Sequence, residues 1–145
     1  MLFVLYLALK YLAYSAWCLA GLAMLRPGER LSRSSAMGLG FLRLLLGFFV
    51  GLGIWYASSF VYGRLQTAPA ALRTLLTYLA VYVPVRWLEW SVLAVMIEPP
   101  GGTLLSFFAG RGAKSRLFRL GGILVSCLAD VPMLVDGLPV GRFLC

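Results

Sequence analysis

Residues Thr74 to Ile97 read TLLTYLAVYVPVRWLEWSVLAVMI, and the prediction of the fold starts from this apolar stretch. At 1.5 Å rise per residue, about 20 apolar residues cross the roughly 30 Å hydrocarbon core of a bilayer, so the stretch is long enough to span one. Arg86 falls at its midpoint and Glu89 follows one helical turn later. An ionised side chain near the bilayer centre costs at least about 2.5–3.5 kcal/mol, so both should face a bundle interior and be paired. Pro84 favours a kink before Arg86, because proline removes a backbone hydrogen bond.

Two interpretations of Arg86 and Glu89 follow from this placement. In the first, they form a buried site for a proton, an ion or a polar headgroup, since intramembrane charges commonly mark such sites. In the second, they are structural and lock neighbouring helices together. The sequence leaves both open.

Composition extends the membrane interpretation to the whole chain. Of 145 residues, 61% are hydrophobic and 12% are charged, whereas soluble domains are about 45–50% apolar and about 25% charged. We therefore predict an all-α, polytopic integral membrane protein in which residues 1–145 form a single transmembrane domain. About four transmembrane helices should form a compact bundle, with spans near residues 2–25, 38–62, 74–97 and 117–137 and a basic interfacial segment between helices three and four.

The distribution of basic residues predicts an orientation. The net charge is +8, which we attribute to cytoplasmic loops and anionic lipid headgroups rather than to nucleic acid. The loops after helices one and three carry most of the arginines and lysines, so both should be cytoplasmic and both termini extracytoplasmic. This arrangement fits the inner (cytoplasmic) membrane of a bacterium.

Helical depth pairs the predicted interior charges. Counted from the cytoplasmic ends, Arg86 lies roughly 16 Å deep and Asp130 roughly 18 Å deep, so the two can meet. By the same count Arg43 reaches Glu89, and Lys10 falls between Asp130 and a second aspartate. The predicted set of buried polar residues is Lys10, Arg43, Arg86, Glu89, Asp130 and Asp136.

Two further groups have predicted roles. A glycine face on helix two, made of Gly40, Gly47 and Gly51, should let a second helix backbone approach closely, within the protomer or from a partner. In the segment 104–120, an apolar lip precedes basic residues that should contact lipid headgroups or a partner, unless they are only an ordinary positive-inside loop. These basic residues are Arg111, Lys114, Arg116 and Arg119.

The sequence contains no catalytic constellation. With no histidine, His-ligated haem or zinc and Ser-His-Asp or Cys-His catalysis are excluded. Three cysteines without C-x-x-C spacing provide no four-ligand metal site. We therefore expect a non-enzymatic protein without a cofactor.

Three function classes remain. The first is a non-catalytic subunit that anchors or helps assemble a larger membrane complex, with other membrane subunits or further copies of itself as partners. The second is a small oligomeric transporter or channel that uses Arg86, Glu89 and Asp130. The third is a lipid-binding or lipid-modifying protein that works at the segment 104–120.

Overall fold

The computed structural model describes residues 2–28 and 32–135, and every regular element among them is helical. The first two helices are α1 (Leu2–Leu25) and α2 (Arg33–Arg64), and the next is α3 (Ala70–Thr77). A π-helical turn (Tyr78–Tyr82) joins α3 directly to α4 (Val83–Ile97). A short helix, α5 (Leu104–Ala109), then precedes α6 (Ala113–Val135). The predicted all-helical class is confirmed for the described residues.

Local signals explain where these helices begin and end. Ser32 caps α2 by accepting a hydrogen bond from the Ser35 backbone N–H, which satisfies one donor of the first turn. Pro99 and Pro100 follow α4 and prevent its continuation. Thr103 caps α5, and Gly110 ends it with a φ of +79°, a conformation that favours glycine.

The π-helical turn ends two residues before Pro84, where the sequence predicts a kink. Proline cannot donate the hydrogen bond of an α-helix, and its ring clashes with the carbonyl four residues earlier. A wider turn relieves that clash while the helix continues, as π-bulges do inside α-helices. The stretch therefore remains one helical rod from Ala70 to Ile97.

Within the described part of the chain, three helical segments are long and apolar enough to cross a membrane: Val4–Leu25, Arg33–Gly51 and Ala70–Ile97. Helix α6 contains the predicted fourth span as far as Val135, but it is not one of these three segments. Helix α2 is longer than predicted, with 32 residues, since its Ser32 cap lies ahead of the apolar run.

The long helices form an up–down–up–down bundle. Tyr6 meets Asp130 while Trp17 meets Phe118, so α1 and α6 are antiparallel. Helices α4 and α6 are also antiparallel, because Trp90 contacts Phe118 whereas the earlier residue Arg86 contacts the later residue Asp130.

Trp90 is the centre of the core. Its ring makes edge-to-face contacts with Tyr14 and Phe118, with centroids 5.8 and 5.5 Å away, geometry that aromatic pairs favour. Gly122 lies against the indole, where an added Cβ would come within 2.2 Å of a ring atom. The core therefore packs large aromatic rings directly against glycine residues, which leave room for them because they have no side chain.

Candidate functional site

Asp130 is the meeting point of three helices inside the bundle. Its Oδ1 accepts a hydrogen bond from the Tyr6 hydroxyl at 2.7 Å and lies 2.7 Å from Lys10 Nζ, so it binds α1 twice. Its Oδ2 lies 2.5 Å from Arg86 Nη2, on α4. Lys10 and Arg86 are 1% and 2% exposed, so two buried cations share one carboxylate. A buried charge is stable only with such partners.

Arg43 and Glu89 form a second buried pair, between α2 and α4. Arg43 Nη2 lies 2.6 Å from Glu89 Oε2, and both side chains are buried. The guanidinium also lies 5.0 Å from the Tyr14 ring centroid and 5.4 Å from that of Trp90, where the ring quadrupoles attract a cation. Together with the Asp130 cluster, this pair connects all four long helices.

The polar interior is not fully satisfied. Among the described residues, the Tyr14 hydroxyl, Arg43 Nε and Nη1, and Glu89 Oε1 are buried without a hydrogen-bond partner. A crevice between α1 and α2 borders Tyr14 and Arg43, but it is too narrow to admit a water molecule. Ion passage at this point would therefore require the helices to move apart.

Two tyrosines and a cysteine belong to this network, although the predicted set of buried polar residues contains only charged side chains. The Tyr78 hydroxyl lies 2.7 Å from Cys127 Sγ, and Cys127 lies 3.8 Å from Arg86 Nη1. Tyr6 bridges Lys10 and Asp130. The available signal was helical spacing, because Tyr6 precedes Lys10 by four residues.

The predicted pairs can now be compared with the observed ones. Arg86 meets Asp130, Arg43 meets Glu89, and Lys10 meets Asp130, as helical depth suggested. Arg86 and Glu89 bind partners on different helices. Asp136, the alternative partner of Lys10, lies outside the described residues.

The predicted glycine face of α2 is turned into the bundle. Gly40, Gly47 and Gly51 are all buried, and a Cβ on Gly40 would lie 2.8 Å from the backbone nitrogen of Ser15. Close approach of α1 and α2 therefore depends on the missing side chain. At Gly40 this contact is made within the chain.

The predicted basic surface is divided by the structure. Arg111, Lys114 and Arg116 are exposed. Arg119 is fully buried, so its prediction as a lipid-headgroup or partner contact is wrong. Its guanidinium donates to the carbonyl oxygens of Phe107 at 2.7 Å and Phe108 at 3.4 Å, near the end of α5, where helix carbonyls lack partners and the helix dipole favours a cation.

Arg119→Ala is expected to release α5 from the bundle. The lost hydrogen bonds would leave carbonyls of α5 unsatisfied, at a cost of about 1–3 kcal/mol. Hydrogen exchange of the amides of residues 104–109 should accelerate several-fold. Lys114→Ala is the control, because Lys114 is exposed on α6, the helix that also carries Arg119. This variant should leave the exchange of the α5 amides unchanged. Equal exchange in both variants would mean that Arg119 does not hold α5.

Comparison of the chain with protein-family models, with curated proteins and with solved structures finds no match. The site must therefore be interpreted from its own chemistry. Among the described residues no group of His, Cys, Asp or Glu side chains could hold a metal ion.

Proposed function

We propose that the chain is a non-catalytic integral membrane subunit that anchors or helps assemble a larger membrane protein complex. Its four transmembrane helices are α1, α2, the continuous rod α3–α4, and α6. The interior charges support a structural role, since Asp130 and Glu89 each pair with at least one cation from another helix. Such an interior fixes one arrangement of the helices. The outer surface is then free to serve as a binding face.

The exposure pattern of α6 supports its inclusion as the fourth span. Of its charged residues, Arg119 and Asp130 point inward to partners on other elements. Its outward positions carry leucines at helical spacing, each more than half exposed, as a lipid-facing stripe requires. These are Leu117, Leu120, Leu124 and Leu128.

The orientation proposed from loop charge agrees with the bundle. The end that holds the α1–α2 and α4–α6 connections carries Arg26, Arg33, Arg111, Lys114 and Arg116. The opposite end carries Arg64 and Arg73, which lie over the rings of Phe60 and Tyr62. By the positive-inside rule the first end is cytoplasmic, in the inner membrane of a bacterium.

The observation that carries the subunit proposal is a small-residue depression on the outside of α2. Gly53 and Ala57 are exposed four residues apart, and no atom of the described residues lies within 4 Å of the position of a Gly53 Cβ. Phe49, Tyr56 and Phe60 project beside them, with exposures of 70, 70 and 64%. Small residues between large ones admit a second transmembrane helix at close range, a packing that lipid cannot match. We assign this face, the Gly53 face, to a helix of another subunit.

Gly53→Leu is expected to release that partner while the chain still folds, because the substitution points into open space. The complex should be purified gently from its native membranes and weighed by native mass spectrometry. Gly38→Leu is the matched control, since Gly38 is also exposed on α2 and, among the residues that the structure describes, has no atom within 4 Å of an added Cβ. We expect an intact hetero-complex in the wild type and in Gly38→Leu, and its loss in Gly53→Leu. A wild-type monomer would overturn the proposal, and a homo-oligomer would assign the face to a second copy.

A second candidate function is a small oligomeric transporter or channel that uses Arg86, Glu89 and Asp130. The unsatisfied groups of Arg43, Tyr14 and Glu89 favour it, because buried polar groups without partners can bind a transient guest. Ion or proton flux into vesicles that contain the purified chain alone would support this candidate.

A further inference from the structure

An apolar groove lies on the outside of the bundle where α5 folds back against α4. Its walls are formed by Val83, Pro84, Trp87, Leu88 and Phe108, and it offers about 440 Å³ of space that is open to the outside. That volume falls within the range of about 300–1,000 Å³ typical of small-molecule sites. The groove exists because the Trp87 indole N–H donates to the Phe108 carbonyl at 2.7 Å, which fixes α5 beside α4.

The chemistry of the walls selects a hydrocarbon occupant. Four of the five side chains are aliphatic or phenyl, and the polar atom of the fifth, the Trp87 indole nitrogen, is already engaged. Burying a polar ligand here would cost free energy, because its hydrogen bonds to water would be lost without replacement. An alkyl chain makes no hydrogen bonds to water, so its burial in the groove carries no such cost. Leu88 and Phe108 are 39% and 52% exposed, so the groove opens sideways.

Positive charge lies at one end of the same groove. Arg116 Nε donates to the Ala109 carbonyl at 3.1 Å, which places its guanidinium beside the residue that follows Phe108. Lys114 is exposed on the same turn of α6. Arg111 is partly neutralised, with its Nε 3.5 Å from Glu98 Oε2. Arg116 therefore forms the cationic end of the groove, and Lys114 adds positive charge to the exposed first turn of α6.

We propose that this groove binds an anionic glycerophospholipid, with one acyl chain between α4 and α5 and the phosphate on Arg116 and Lys114. The inference rests on the proposed membrane insertion of the bundle. Charge complementarity supports this proposal, because surface cations attract an anionic headgroup strongly. They attract a zwitterionic headgroup, which has no net charge, much less. Arg116 contacts Ala109, which directly follows the groove residue Phe108, so one lipid molecule can reach both the groove and this cation.

The test measures lipid retention by the purified, delipidated full chain. Phosphatidylglycerol and phosphatidylcholine are titrated separately, and bound lipids are counted by native mass spectrometry. For the wild type we expect one phosphatidylglycerol bound at least about tenfold more tightly than phosphatidylcholine, since each cation near a headgroup contributes about 1 kcal/mol.

Two variants separate the headgroup from the acyl chain. Lys114→Gln/Arg116→Gln should remove the preference for phosphatidylglycerol, while Arg64→Gln, an exposed arginine at the other end of the bundle, should keep it. Val83→Trp should fill the groove and weaken both lipids, while Val95→Trp, at an exposed position on the same helix, should weaken neither. Equal retention of both lipids by the wild type, or no change in either test variant, would overturn the proposal.

Carbonate extraction of the membranes tests insertion separately. A chain that stays in the pellet yet shows no lipid preference refutes the lipid site alone. A chain released into the supernatant refutes the membrane subunit itself.

Discussion

Asp130→Ala is expected to destabilise the bundle by about 3–5 kcal/mol, the cost of breaking a buried ion pair and leaving the partner charge uncompensated. The loss should be larger than for Arg86→Ala, because Asp130 serves both Lys10 and Arg86 and also accepts from Tyr6. Arg86→Ala still leaves Lys10 to neutralise Asp130. Unfolding of the purified chain in mixed detergent micelles measures both changes. Arg64→Ala, at an exposed position, is the control and should be nearly neutral.

Combined variants test whether the three charges act as one unit. Arg86→Ala/Asp130→Ala should recover only part of the lost stability, because Lys10 stays buried after its carboxylate is removed. Lys10→Met/Arg86→Met/Asp130→Leu should recover most of it, since apolar residues of similar volume commonly replace a buried ionic cluster without loss. Full recovery in the double variant would show that Lys10 does not depend on Asp130. A triple variant no more stable than Asp130→Ala would show that the charges are not coupled.

The charge pairs could be anticipated from the sequence because helical geometry converts position into depth. Antiparallel helices with a 1.5 Å rise per residue bring together residues at equal depth, and buried charge must find opposite charge. Those two constraints suffice for Arg86 with Asp130 and for Arg43 with Glu89. They could not show that Lys10 and Arg86 share one carboxylate, because that depends on rotation of α1 and α6 about their axes.

Arg119 shows where this reasoning fails. The basic residues of the segment 104–120 look alike in sequence, and hydropathy assigns all of them to the membrane surface. The structure folds α5 back against α4, which leaves carbonyl groups that need a donor, and Arg119 supplies it. A six-residue helix leaves no periodic signal long enough to predict that fold. The glycine pattern of α2 was similarly ambiguous, because spacing alone does not say whether α1 or a partner covers Gly40.

The Arg43–Glu89 pair provides the second large effect. Arg43→Ala should destabilise the bundle by about 3–5 kcal/mol, because Glu89 would remain buried without its partner on α2. Glu89→Ala should cost less. The Arg43 guanidinium would keep its contacts with the rings of Tyr14 and Trp90, which can contribute about 2 kcal/mol when desolvated. The same detergent unfolding measurement compares the two, and equal losses would mean that the rings contribute nothing.

Arg43→Met/Glu89→Leu then separates the two candidate functions, because it removes the charges and keeps much of the volume. If the pair is structural, this double variant should regain stability close to the wild type and should keep its partner through the Gly53 face in native mass spectrometry. If the pair serves transport, the variant should fold equally well but lose ion- or proton-dependent flux in vesicles, since no titratable group remains at that position. We expect recovery of both stability and assembly, because Arg43 and Glu89 join α2 to α4 beside the Trp90 core. A variant that stays as unstable as Arg43→Ala would show that the two side chains do not stabilise the bundle as a pair.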